Sequence, residues 1–158
     1  AGLREARWPG RFERIMVDGR DVVFDAAHTP AAATALVSTW REVGLPMPAT
    51  VVLGMGADKN ARAFLEQLQP LIGHLVVTRA DSPRAANPET IAKIADALGM
   101  PPEIQPSVAA AVTVAAGPNP LLITGSLFVA GEGREAFGLA MPDLAWRALN
   151  ERSTRVSR

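Results

Sequence analysis

Thr50–Thr78 reads TVVLGMGADKNARAFLEQLQPLIGHLVVT. Its side-chain pattern changes twice. Thr50–Leu53 is a continuous apolar run that stops at Gly54, the pattern of a strand buried on both faces. Ala61–Ile72 places Phe64, Leu65, Leu68 and Ile72 on one face at helical spacing. Leu75–Thr78 is a second buried strand. Strand, helix and strand in direct succession predict parallel strands with a helix packed across them.

The same alternation continues in both directions. Upstream, Pro30–Val43 predicts a helix with Ala33, Leu36, Val37, Trp40 and Val43 inward; Gly44 ends it and Pro46 follows. Before that helix, Phe12–Val17 and Val22–Phe24 predict a hairpin around Asp18-Gly19-Arg20. Downstream, Pro88–Leu98 predicts a helix capped by Asn87, with Ile91, Ile94, Ala95 and Leu98 inward. Gly99 closes it. Glu103–Gln105 reads as a short strand, Ser107–Ala116 as a helix of small residues, Leu121–Thr124 as a strand and Leu127–Phe137 as a helix. The expectation is one Rossmann-like α/β domain over residues 1–149. It has a mostly parallel sheet, helices on both faces and one antiparallel edge strand from the hairpin. Residues 150–158 form a polar, frayed tail.

Composition narrows the functional classes. Lys and Arg together number 16 and so do Asp and Glu. That balance argues against a general nucleic-acid binder or a membrane-surface protein, both of which need a basic excess. Cys is absent. Disulfides and thiolate metal sites are thereby excluded, and a reducing, bacterial-type cytoplasm is the expected setting. No apolar run approaches the ~20 residues of a membrane-spanning helix. The first residue is Ala rather than Met, which fits a chain that begins at a domain boundary.

In open parallel sheets, ligands bind beyond the carboxyl ends of the strands. Four such ends carry chemistry here: Asp25-Ala26-Ala27-His28-Thr29-Pro30, Gly54 to Asn60 with Asp58 and Lys59, Arg79 to Arg84, and Gly125-Ser126. Brought to one edge, they gather a carboxylate, an imidazole, a lysine, an arginine and a hydroxyl, a fit for a small polar ligand. Residue type alone leaves a second reading for each. Thr29 caps a helix that starts at Pro30. His28 is a surface histidine beside that cap. Asp25 merely ends a strand. Asp58-Lys59-Asn60 is a solvated turn, Gly125-Ser126 a strand-to-helix turn and Arg11 a loop cation. No G-x-x-x-x-G-K-[ST] loop occurs, and neither Gly54-Met55-Gly56 nor Gly131-Glu132-Gly133 completes G-x-G-x-x-G. No His, Asp and Glu set has metal-ligand spacing.

Taken in order, five segments resemble the C-terminal domain of the folylpolyglutamate synthase/dihydrofolate synthase family, within the Mur ligase superfamily. Trp8-Pro9-Gly10-Arg11-Phe12-Glu13 is similar to W-x-G-R-x-E. Asp25–Pro30 is similar to D-G-A-H-N-P, with Ala26 for Gly and Thr29 for Asn. Gly54…Asp58-Lys59-Asn60 is similar to G-x-x-x-D-K-D, with Asn60 for Asp. Ser82-Pro83-Arg84-Ala85 is similar to P-R-A, and Thr124–Glu132 to T-G-S-L-Y-L-V-G-E. The UDP-muramoyl tripeptide ligase branch also carries A-H-T-P. It has G-K-G-H-E where this chain has Gly125–Phe128, and D-N-P-R where this chain has Asp81–Arg84, so the folate branch is favoured.

The resemblance implies half of an ATP-dependent amide ligase. ATP activates a pterin carboxylate as an acyl phosphate, and the amine of L-glutamate attacks it. The P-loop and the Mg2+ ligands are expected on an N-terminal ATPase domain, so this domain alone is expected to be inactive. Partners would be that domain, ATP, L-glutamate and folate or dihydropteroate. By resemblance, Arg11 meets ATP phosphate and Asp25 the ribose. His28, a candidate catalytic residue, and Ser126 serve glutamate, and Lys59 is a weaker candidate on the same rim. Glutamate carboxylates need donors, and a hydroxyl and an imidazole N–H each supply one. The competing readings are a UDP-muramoyl-peptide ligase and a non-catalytic Rossmann-like binding module.

Overall fold

A sheet of six strands in the order β1-β2-β6-β3-β4-β5 forms the centre of the molecule. The computed structural model describes residues 10–139. The strands are β1 (Glu13–Val17), β2 (Arg20–Phe24), β3 (Ala49–Leu53), β4 (Ile72–Val77), β5 (Glu103–Ile104) and β6 (Leu121–Thr124). β1 runs antiparallel to β2 at one edge, and every other pairing is parallel. This is the mixed sheet with one antiparallel edge strand that the alternating pattern implies. Five helices cover it: α1 (Pro30–Val43), α2 (Ala61–Leu68), α3 (Pro88–Ala97), α4 (Val108–Val114) and α5 (Leu127–Ala136).

Strand periodicity sorts the core into two halves. Val23, Val51, Leu53, Leu75, Val77 and Leu122 pack with α1, α2 and α3. Their sequence neighbours Val22, Phe24, Val52, Val76, Leu121 and Ile123 pack with α4 and α5. Successive strand side chains point to opposite faces, so a strand with apolar residues at every position must be covered on both. β3 and β6 are buried along their whole length.

Helix ends follow from local chemistry. Thr29, Asn60, Asn87, Ser107 and Ser126 each accept a backbone N–H from the first turn of the helix they cap. Each such cap is worth about 1 kcal/mol.

Several boundaries and burial positions differ from the sequence expectation. The hairpin turn is the two-residue Asp18-Gly19, both at positive φ (49° and 78°), and β2 begins at Arg20. Two residues at positive φ match the twist of paired strands, as a three-residue turn would not. α2 stops at Leu68, short of Ile72, because Pro70 has no N–H to continue the ladder. A 3-10 turn spans Gln69–Leu71, and Ile72 opens β4 instead. Val43 is 45% exposed rather than inward. Gly44 closes α1, the Leu45 N–H donates to the Trp40 carbonyl at 3.2 Å, and Leu45 takes the buried place. Ile94 and Leu98 are only partly buried, while Ala92 is buried beside Ile91. The tail 150–158 and Trp8-Pro9 lie outside the described residues.

Candidate functional site

Parallel register fixes the site. Phe24 pairs with Ile123, Leu53 with Thr124, and Leu53 with Val77. The segments after β2, β3, β4 and β6 therefore leave the sheet at one edge.

Asp25 continues the sheet for one residue: its N–H donates to the Ile123 carbonyl at 3.0 Å. Its carboxylate then faces backbone. Phe12 N–H donates to Oδ2 at 2.7 Å and Ala27 N–H to Oδ1 at 2.8 Å. Ala26 N–H donates to the Gly10 carbonyl at 2.7 Å. These bonds dock the Gly10–Phe12 loop on the end of β2 and hold Phe12 at φ +43°, where a side chain other than glycine's is strained. The Phe12 ring stacks edge-on against Trp40, centroids 6.2 Å apart. From the other side, Glu13 accepts the Gly10 N–H and pairs with Arg134 of α5. Burial pushes the Asp25 carboxyl above its ordinary 3.8, against the pull of the two N–H donors and the Arg11 charge. Arg11, Asp25 and His28 line a cavity of about 560 Å3 with Phe12, Ala35 and Thr39.

A second cleft, about 520 Å3, lies between the ends of β3, β4 and β6. It is lined by His28, Met55, Lys59, Arg84, Ser126 and Phe128, among others. Its floor depends on close approach. Gly125 sits at φ +107°, and a Cβ there would lie 2.3 Å from the Gly54 carbonyl oxygen, so only glycine fits. One wall is tied across the cleft. Ala57 N–H donates to the Arg84 carbonyl at 2.9 Å and Ala86 N–H to the Met55 carbonyl at 2.8 Å. The Arg84 guanidinium lies 5.9 Å from the centre of the Phe128 ring, within cation–π range. Ser126 Oγ accepts the Val129 N–H at 3.0 Å, so its own hydroxyl proton is left to donate. Lys59 Nζ lies 3.4 Å from Asp58 Oδ2.

The expected rim is thus two adjoining cavities. Arg11 and Asp25 lie in one, Lys59 and Ser126 in the other, and His28 lines both. Arg79 and Asp81 are not among the residues that line either. Residue reading gave no role to Phe128 or Met55; it placed the Arg79–Arg84 segment on the rim, and the P-R-A match pointed at Arg84 within it. Glu132 was also passed over. It accepts the Asp81 N–H at 2.8 Å, and burial raises its carboxyl above the ordinary 4.5. Among the described residues no group of three or more His, Cys, Asp or Glu is placed to hold a metal. No helix among them is long and apolar enough to cross a membrane.

The profile described as "Mur ligase, glutamate ligase domain" matches residues 10–127. The chain belongs to this family. It is a Mur-ligase C-terminal domain, and its matched span runs from the Gly10–Phe12 loop through the start of α5. A probable bifunctional folylpolyglutamate synthase/dihydropteroate synthase of Haloferax volcanii is 32% identical over 162 aligned positions, covering 99% of this chain and 19% of that protein. The Mycobacterium tuberculosis folylpolyglutamate synthase structure, complexed with ADP, superposes with a TM-score of 0.75 at 33% identity. The match covers 84% of this chain and 33% of that one. A UDP-N-acetylmuramoyl-L-alanyl-D-glutamate–2,6-diaminopimelate ligase of Corynebacterium efficiens is 38% identical over 94 residues, 57% of this chain and 18% of that protein. The chain spans a third or less of the length of each of these relatives.

Proposed function

We propose that this domain works within an ATP-dependent ligase that joins L-glutamate to folate or dihydropteroate through an acyl phosphate. One observation carries the reading: two cavities of different chemistry adjoin at the strand ends and share His28. The first offers a fixed cation, Arg11, and a carboxylate, Asp25, suited to phosphate and to ribose hydroxyls. Asp25 keeps lone pairs beyond those taken by Phe12 and Ala27, so it still accepts from a hydroxyl. The second offers the Ser126 hydroxyl, Lys59 and Arg84 to an amino-acid carboxylate. The ADP held by the Mycobacterium tuberculosis relative and the folylpolyglutamate synthase character of the Haloferax protein support the assignment.

In this reading residues 1–149 are one domain with a polar tail at 150–158. It closes on an N-terminal P-loop ATPase domain that supplies the Mg2+ ligands, in the cytoplasm. The domain alone has no turnover. The test is glutamate incorporation by the full-length ligase containing this chain, with ATP, Mg2+ and either dihydropteroate or a folate. Incorporation by the full-length protein and none by the isolated domain is the expected result. The Corynebacterium likeness makes a cell-wall ligase the second reading. Incorporation of an amino acid into a UDP-muramoyl peptide, and none into a pterin, would replace the first reading with the second.

A further inference from the structure

Among the described residues, His28 is the one that lines both cavities. Its Nδ1 lies 2.9 Å from the Ala26 carbonyl oxygen. A carbonyl only accepts, so Nδ1 carries the proton of that bond. In the neutral ring, Nε2 then has a lone pair and no proton. Neutral His28 therefore suits an N–H donor and not a carboxylate.

The other ionisable groups lining the two cavities are Arg11 and Asp25 on one side and Asp58, Lys59 and Arg84 on the other. Arginine does not give up its proton. Lys59 Nζ is paired with Asp58 Oδ2 at 3.4 Å. Asp58 is held below the ordinary carboxylate range by its own backbone N–H and by Lys59, and is a poor base. Asp25 holds two backbone N–H groups and lines only the first cavity, away from the amino-acid cleft. Ser126 Oγ accepts from Val129. Among the ionisable groups of the described lining residues this leaves the imidazole of His28, which lines both cavities.

We infer that His28 is the general base of the ligation step and takes a proton at Nε2 from the α-ammonium of the incoming amino acid. The inference rests on the ligase reading above. The ammonium gives one proton to Nε2, leaving a free amine and an imidazolium. The amine lone pair forms the C–N bond to the acyl carbon. The C–O bond to phosphate breaks and its electron pair leaves with phosphate. Phosphate takes the second nitrogen proton and departs as hydrogen phosphate, the amide keeps the third, and imidazolium returns its proton to solvent. The Ala26 carbonyl makes this possible by fixing the tautomer.

His28→Gln, placed in the full-length ligase, keeps an amide donor and acceptor but cannot take a proton. Two amines separate the outcomes. Glutamate is protonated at neutral pH and needs a base, whereas hydroxylamine is already a free amine and does not. With ATP, Mg2+ and the pterin acid, the variant's kcat with glutamate at pH 7 falls about 10²- to 10⁴-fold. The residual rate climbs about tenfold per pH unit as the amine deprotonates. Hydroxamate formation from hydroxylamine stays at the wild-type rate. Near-wild-type turnover with glutamate, or parallel loss of hydroxamate, overturns the base assignment. Absence of ATP-dependent hydroxamate in the wild-type enzyme overturns the ligase reading and the inference with it.

Discussion

Replacing Gly125 with Ala tests whether the second cleft depends on close contact between the ends of β3 and β6. Two costs arise there. The backbone sits at φ +107°, and holding an L side chain in so sparse a region costs about 1–3 kcal/mol. The added Cβ would lie 2.3 Å from the Gly54 carbonyl oxygen and 2.7 Å from Leu53 Cδ1. Relieving such a clash in a filled core costs about 1–3 kcal/mol. Together they come to about 2–6 kcal/mol, a large part of the ~5–15 kcal/mol that holds a domain folded. For a chain of this size that is a fall in Tm of roughly 4–24 °C. Thermal unfolding followed by circular dichroism measures it. Gly99→Ala is the matched control, because Gly99 has φ +77° and nothing within 4 Å of a Cβ. It isolates backbone strain from the clash. A Gly125→Ala shift no larger than that of Gly99→Ala would refute the close-contact argument.

Arg11→Ala in the full-length ligase should slow acyl-phosphate formation, and Asp25→Ala should raise the KM for ATP. Each effect is about ten- to hundredfold, the loss of one charge-assisted hydrogen bond of ~1.5–3 kcal/mol, and kinetics at limiting ATP check both. Ser126→Asp keeps a cap for the Val129 N–H but exchanges a donor for a negative charge. Its Tm should stay near wild type while the KM for glutamate rises and that for ATP does not; unchanged glutamate kinetics would refute the donor role. Burial raises the carboxyls of Asp25 and Glu132 above 3.8 and 4.5. The unfolded chain releases those protons first, so each group's contribution to stability falls as pH rises from its ordinary value through its folded one. Carboxyl NMR titration of the domain should put both midpoints above those values, and a midpoint at or below either would show the sign to be wrong.

The sheet was legible because its strands are apolar at consecutive positions, and burial on both faces is what that pattern encodes. The start of β4 was not, because Gly73 and His74 interrupt the apolar run where the strand is exposed. His74 instead faces Glu103 across the sheet edge, Nε2 to Oε2 3.6 Å. Val43 misled for a related reason. Helical spacing alone assigns it inward, but the turn at Gly44 carries Leu45 back to the core. At the site, the gathering of strand ends followed from topology. Its division into two cavities did not, and one of the two is lined by the Gly10–Phe12 loop docked on Asp25. That docking pairs residues far apart in the chain, and no local pattern announces it.

Residue type also left the direction of each hydrogen bond open, and direction decides which ligand group a side chain suits. Asp25, His28 and Ser126 each hold a nearby backbone group: Asp25 accepts from Phe12 and Ala27, His28 donates to Ala26, and Ser126 accepts from Val129. What remains to a ligand is the valence not already committed. For Asp25 that is further lone pairs, which suit a hydroxyl. For Ser126 it is an O–H, which suits a carboxylate. For a neutral His28 it is a lone pair, which suits an N–H donor. In the base reading, the bond of Nδ1 to the Ala26 carbonyl is what leaves Nε2 of the neutral ring to receive the proton of an amine. The same imidazole, if its tautomer were reversed, would have had the opposite chemistry.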